Sequence, residues 1–292
     1  MKIIKVLIPA FLLINLVGCN SDNNARSPET APAEIPASSP QEPCVSVACQ
    51  DSNQYVVEQI YHQIMNGNNT QLVYSLYRED FIQHNADITG GLDGQLAYFN
   101  QLTSDNPDHV ATIKHLVADG EYVAAHWHYS DSPDNEFSGS ARVDLYKFND
   151  GLIAEQWNIA MPLGESTVSG NSAFSDLYVY QESPALMTEA MEDVNKDMVT
   201  SFYLDLFNNQ NIALIDELVD ENYLQHNVWV PNGSGALRDF VSSRTPGGLE
   251  IFLSLAADDL VWTFSAGDNL TLVDIWRVDY SSGKIVEHWD LF

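Results

Sequence analysis

Two short segments hold the carboxylates best placed to do chemistry. Val143-Asp144-Leu145-Tyr146-Lys147-Phe148 recurs as Val273-Asp274-Ile275-Trp276-Arg277-Val278. Read as strands, both alternate their side chains between two faces. Asp274 then shares a face with Leu270, Leu272, Trp276 and Val278, while Asp144 sits with Tyr146 and Phe148. A carboxylate among apolar and aromatic groups is desolvated, which raises its pKa toward values useful for proton transfer. The alternative is a carboxylate tied up by a backbone amide or a helix terminus. Arg277 falls on the face opposite Asp274 and is not its natural partner.

Two further blocks recur in the same order. Phe81-Ile82-Gln83-His84-Asn85 returns as Tyr223-Leu224-Gln225-His226-Asn227. Gly151-Leu152-Ile153-Ala154-Glu155-Gln156-Trp157-Asn158 returns as Gly283-Lys284-Ile285-Val286-Glu287-His288-Trp289-Asp290. His84 and His226, at the mouth of a pocket, would polarise a carbonyl oxygen or shuttle a proton near neutral pH. The competing reading is a Gln-His-Asn corner whose amides fix the loop. Trp157 and Trp289 read first as core and second as surfaces for a ligand to stack on. The terminal motif differs between the copies: His288 and Asp290 correspond to Gln156 and Asn158, so only the second copy keeps both titratable groups.

Three blocks in one order make the chain a tandem duplication of a unit of about 110 residues. Each unit begins with an amphipathic helix. Residues 56, 57, 60, 61, 64 and 65 form one apolar stripe in the first copy, and 191, 194, 198, 202 and 206 in the second. A short second helix (near 70–78 and 211–219), the Gln-His-Asn loop and a third helix (92–103 and 235–243) follow. Four strand-like runs close each unit, at about 109–118, 121–130, 139–149 and 152–161, and at 249–257, 259–266, 269–280 and 284–292. Helices followed by a meander predict an α+β class: two curved antiparallel sheets, each with helices over its concave face, forming a barrel-like cone.

Each unit resembles the SnoaL-like polyketide cyclase group of the nuclear transport factor two-like (cystatin-like) superfamily. The residues that carry the resemblance are Gln-His-Asn, the Asp of Val-Asp-Leu/Ile, the terminal Glu-His-Trp-Asp, and Asn171-Ser172-Ala173-Phe174. It implies Asp144 and Asp274 as general acid/base groups moving a proton on carbon next to a carbonyl. It implies His84 and His226 as their catalytic partners. Tyr146, Trp157, Trp276, His288, Trp289 and Asp290 are the candidate ligand-binding residues. The implied activity is a lyase or isomerase of the aldol or proton-transfer type on a small carbonyl compound, with no cofactor. The fold hosts many binders as well, so a module capturing an apolar small molecule, or an interaction protein, is the alternative. The two copies can pair within one chain, or two chains can form a homodimer through the sheet faces.

The rest of the chain speaks to location. Lys2 and Lys5 precede an apolar run, Val6 to Val17, too short to span a bilayer and suited to a signal peptide. Leu16-Val17-Gly18-Cys19 resembles a lipobox, which makes Cys19 the expected lipidation site and the periplasmic side of the outer membrane the expected address. Residues 20–50 contain Pro28, Pro32, Pro36, Pro40 and Pro43 among small and polar residues, the composition of a tether. Cys44 and Cys49 at its end are an expected disulfide. The organisation is then a leader (1–19), a tether (20–50), a first domain (51–175), a linker (176–186) and a second domain (187–292).

Twelve Lys and Arg against 41 Asp and Glu give a formal charge of −29, or −31 once residues 1–19 and their two Lys are removed. That balance excludes a nucleic-acid partner, which needs a basic stripe, and leaves the N-terminal lipid as the membrane contact. His126-Trp127-His128 places two His on one strand face, away from Val123 and Trp127, with no acidic motif beside them. No metal is expected there. Nucleophile-elbow, phosphate-loop and dinucleotide motifs are missing.

Overall fold

The computed structural model describes residue 44 and residues 46–181, 187–266 and 270–292. The expected leader, Cys19 and most of the expected tether lie outside them. Helix α1, Val47–Gln59, begins inside the stretch read as tether, with the Ser46 hydroxyl accepting the Cys49 amide at its N-terminus. Cys44 is disulfide-bonded to Cys49, with 5.7 Å between Cα atoms. The helix continues as a wider π turn over Ile60–Met65, then come α2 (Val73–Leu76) and α3 (Gly91–Asp105). Among the described residues no helix is long and apolar enough to cross a membrane.

The first sheet comprises β1 (Tyr77–Gln83), β2 (Val110–Asp119), β3 (Tyr122–Ser130), β4 (Ser140–Asn149) and β5 (Leu152–Pro162), ordered β1-β5-β4-β3-β2. The second copy repeats it. Helices α4 (Glu189–Asn209), α5 (Ala213–Leu218) and α6 (Ser234–Ser242) accompany β6 (Val219–Gln225), β7 (Ile251–Ala257), β8 (Leu260–Ala266), β9 (Leu270–Val278) and β10 (Ile285–Leu291). Their order is β6-β10-β9-β8-β7.

The α+β class stands, with two corrections. Each sheet is mixed and open rather than an antiparallel barrel, because β1 runs parallel to β5 and β6 parallel to β10. These fifth strands include the first three residues of the Gln-His-Asn loop's own block, which sequence patterning assigned to a loop. The burial pattern of β1, with Tyr77 and Phe81 inside and Glu79 and Asp80 exposed, repeats every four residues and so hides the period of two.

Helices cover one face of each sheet. In the first copy Val57, Ile60, Tyr61 and Ile64 pack on Val123, Ala125, Trp127 and Tyr146. In the second, Val199, Phe202, Tyr203 and Leu206 pack with Val261, Trp276 and Val278. The opposite faces meet each other. Val117, Ala124, Val143 and Leu145 share one core with Trp262, Phe264, Val273, Ile275 and Trp289, sealed by Ala173 and Phe174. Burying apolar area at about 25 cal/mol per Å² stabilises this junction as it does a domain core. The two sheets therefore belong to one compact unit.

Candidate functional site

On strand β9 the alternation places Asp274 between Leu272 and Trp276 on the helix-covered face, at the floor of a cavity of about 330 Å³. Burial pushes its carboxyl up to about 8, while the Tyr203 hydroxyl pulls the other way. One oxygen, Oδ1, lies 3.0 Å from His288 Nε2 on the neighbouring strand β10. The other, Oδ2, is buried with no partner at hydrogen-bond geometry, the Tyr203 hydroxyl acting on the carboxylate from close by.

The second imidazole nitrogen fixes the tautomer. His288 Nδ1 lies 2.9 Å from Gln225 Oε1, and that oxygen also accepts the Asn227 backbone N–H at 2.9 Å. An oxygen accepting an amide must be the acceptor here too, so Nδ1 carries the proton. A neutral His288 then presents a lone pair on Nε2 to Asp274. Burial holds His288 down to about 4 and lifts Asp290 to about 6. The resting pair is thus a protonated Asp274 donating to His288 Nε2. Asp290 Oδ2 accepts from Asn227 Nδ2, and Asp290 Oδ1 has no partner.

Asp274, His288 and Asp290 can each offer one ligand atom within 4.8 Å of the others, a spacing a metal ion could bridge. The His288 nitrogen that would have to bind it already faces Asp274 at hydrogen-bond distance. His126 and His128 are not part of this group. They lie on the opposite face of the first sheet, His126 against His115 at 3.1 Å and His128 Nε2 donating to the Ser138 carbonyl at 2.7 Å.

The first copy has the same frame with different chemistry. Asp144 lines a cavity of about 340 Å³, and burial raises its pKa while Tyr61 and Arg142 oppose the rise. Both oxygens are occupied: Tyr61 donates its hydroxyl to Oδ2 at 2.8 Å and Gln156 Nε2 donates to Oδ1 at 3.2 Å. Gln156 is held in turn by Gln95 and Tyr77, and Gln95 accepts from Gln83 Nε2. Asn85 donates to Asn158 at 2.7 Å. This is a chain of amides with no titrating neighbour, where the second copy has an imidazole and a second carboxylate.

Several expected site residues lie elsewhere. His84 and His226 are not at a pocket mouth. In the extended Gln-His-Asn segments, Gln and Asn point toward the cavity, so His points to the other side. His84 Nε2 meets Glu155 at 2.7 Å and its ring stacks on Trp157 at 4.0 Å. His226 Nε2 meets Glu287 at 2.9 Å and its ring stacks on Trp289 at 4.8 Å. Trp157 and Trp289 follow them away from the cavities, Trp289 into the core between the sheets. Tyr146 is fully buried behind Asp144, its hydroxyl 3.2 Å from that of Tyr61. Trp276, His288 and Asp290 do line the second cavity.

The residues not singled out in advance are Tyr61, Tyr203, Gln95, Arg142 and Arg244. For two of them a signal existed. Tyr61 and Tyr203 stand at the same distance before their Gln-His-Asn motifs, and both approach the strand carboxylate. Gln95 has no counterpart block and could not be found that way.

Residues 55–161 match the sequence family described as SnoaL-like polyketide cyclase. No curated protein matches the chain. Among solved structures, a candidate polyketide cyclase from Bacillus cereus ATCC 10987 is 18% identical over 40% of this chain and 78% of its own, at a TM-score of 0.35. TsrD from Streptomyces laurentii is 19% identical over 38% and 89%, at 0.33. A candidate ketosteroid isomerase from Kribbella flavida DSM 17836 is 15% identical over 47% and 85%, at 0.32. The family match falls on the first of the two copies.

Proposed function

We propose that the second cavity moves a proton on carbon adjacent to a carbonyl, a lyase or isomerase type of step on a small organic compound. The observation that carries this is the buried Asp274–His288 pair, with Asp274 Oδ2 unpartnered at the cavity floor. One proton lies between the two groups. When it passes to His288 Nε2, Asp274 becomes a carboxylate paired with an imidazolium, and Oδ2 is free to take a proton from substrate carbon. Gln225, accepting from Nδ1, keeps the imidazole oriented in both states. Water exclusion by the apolar walls strengthens each of these interactions. The step can be written with these side chains alone.

The first cavity supports a second reading, that of a binding pocket. With both Asp144 oxygens accepting hydrogen bonds and Gln156 in place of the imidazole, that carboxylate has no proton store beside it. The lipobox-like Leu16–Cys19 segment supports placing the protein on the periplasmic side of a bacterial membrane, anchored by lipid.

The test is deuterium incorporation at the α-carbon of a panel of β-keto esters and enones in D₂O, followed by NMR. Catalysed exchange that falls by about 10²-fold or more in Asp274→Asn, and persists in Asp144→Asn, is the expected result. Exchange that survives in Asp274→Asn would overturn the assignment. So would exchange lost to a chelator and restored by a divalent ion.

A further inference from the structure

The distribution of positive charge identifies the ligand class. Lys2, Lys5 and Arg26 lie outside the described residues. Of the other Lys and Arg, six pair with a carboxylate. In a chain with 41 acids this is the ordinary outcome. Three cations pair with no carboxylate among the described residues: Arg142, Arg244 and Lys284. Lys284 sits in the turn before β10. The two arginines line the two cavities, one each.

Neither arginine makes an ion pair among the described residues, although Asp144 acts on Arg142 from the same cavity and Arg244 is exposed. Arg142 projects from β4 on the same face as Asp144, two residues on. Its Nε donates to Ser140 Oγ at 3.0 Å and its Nη1 to the Tyr98 hydroxyl at 3.2 Å. The guanidinium lies over the Trp127 and Tyr129 rings, at 5.3 and 5.2 Å from their centroids. Neutral oxygens and aromatic faces orient a guanidinium without cancelling it. Arg244, just past α6, lies 4.2 Å from the Phe240 ring centroid beside the second cavity. The walls there are apolar, with Phe207, Leu237, Phe240 and Leu249 rising from the Asp274 floor.

We infer that both cavities take an organic carboxylate: an apolar body of small-molecule size whose acid group pairs with Arg142 in the first cavity and with Arg244 in the second. In the second cavity this deepens the proton-transfer reading and rests on it. The carboxylate anchors at Arg244, and the carbonyl-bearing end reaches Asp274. A guanidinium presents paired N–H donors that match a planar carboxylate, which favours this anion over a single-point acceptor. A single arginine per site, in a strongly acidic molecule, matches a monoanion rather than a phosphate ester or a polyanion.

The experiment is calorimetric titration of the full chain with two matched pairs: cinnamate against cinnamamide, and octanoate against octanamide. The expected result is saturable binding of two carboxylates per chain, each at least about tenfold tighter than its amide. Arg142→Gln and Arg244→Gln should each remove that preference from one site, and the double variant from both. Arg142→Lys and Arg244→Lys retain the charge, should recover part of the preference, and guard against loss through misfolding. Amides binding as tightly as acids, no saturable binding of either acid, or a preference that survives in the double variant would each overturn the inference. The outcome is separable from the catalytic reading. Carboxylate preference with no deuterium exchange removes only the proton-transfer assignment. Exchange without carboxylate preference removes only this one.

Discussion

Two aspartates at equivalent places on equivalent strands differ in what their oxygens meet. Asp144 accepts from Tyr61 and Gln156, whereas Asp274 meets His288 through one oxygen and has no partner at hydrogen-bond geometry on the other. The consequence is measurable in stability. An Asp whose folded pKa is about 8 keeps its proton after the unfolded chain has released its own near the ordinary value of about 4. The folded state then binds more protons than the unfolded state across that window, so the group's contribution falls as pH rises from about 4 to about 8 and is at its least favourable above it. Asp274→Asn removes the titration. It should therefore raise stability relative to wild type at pH 9, by about 2–5 kcal/mol, and have little effect at pH 4. Denaturant unfolding of both proteins across this range checks it. A difference that does not change with pH would mean that Asp274 titrates in the folded protein at its unfolded value.

The strands deliver side chains by alternation, and this rule made part of the site legible in advance. Asp274 and Trp276 could be placed on one face because β9 is apolar enough to be recognised as a strand, whereas His288 and Asp290 were candidates only through the repeated terminal block. The same rule failed for His84 and His226, since a Gln-His-Asn block read as a loop has no faces to assign. Once β1 and β6 are recognised, Gln83 and Asn85 point inward and His84 outward. The contacts of Gln95 were hidden for another reason: they depend on where α3 docks, which no local pattern encodes. The turn that leads into α3 is tightly constrained. A Cβ on Gly94 would sit 1.9 Å from the Thr89 carbonyl oxygen, a backbone atom that cannot swing away. Gly94→Ala should destabilise the protein by about 1–3 kcal/mol through this overpacking. It should also weaken carboxylate binding in the first cavity, where Gln95 supports Gln156, while leaving deuterium exchange in the second. Thermal melts and the calorimetric titration together test this. Loss of exchange with the first site intact would contradict the placement of α3.

At the scale of the whole molecule, the duplication was visible in the sequence, but the way the copies meet was not. Repeated motifs say that two similar sheets exist, and both faces of each sheet are apolar enough to be covered. Only the structure shows that the faces away from the helices cover one another. Polar contacts cross the same junction: Asp119 of β2 accepts from Lys196 of α4 at 2.9 Å and from the Ala256 amide of β7 at 3.0 Å. Behind β9 and β10, Arg277 pairs with Glu287, and with Asp176 from the segment following the first sheet. Two halves that share a core in this way should not unfold independently. Calorimetry of the full chain should show one transition whose calorimetric and van't Hoff enthalpies agree. Phe264→Ala, truncating a fully buried ring in the shared core, should cost about 3–5 kcal/mol. It should lower that single midpoint by about 6–20 °C, with secondary-structure and aromatic signals moving together. Two transitions, with only the second half shifted, would mean that the junction is a contact between separately stable domains and that the first sheet owes none of its stability to the second.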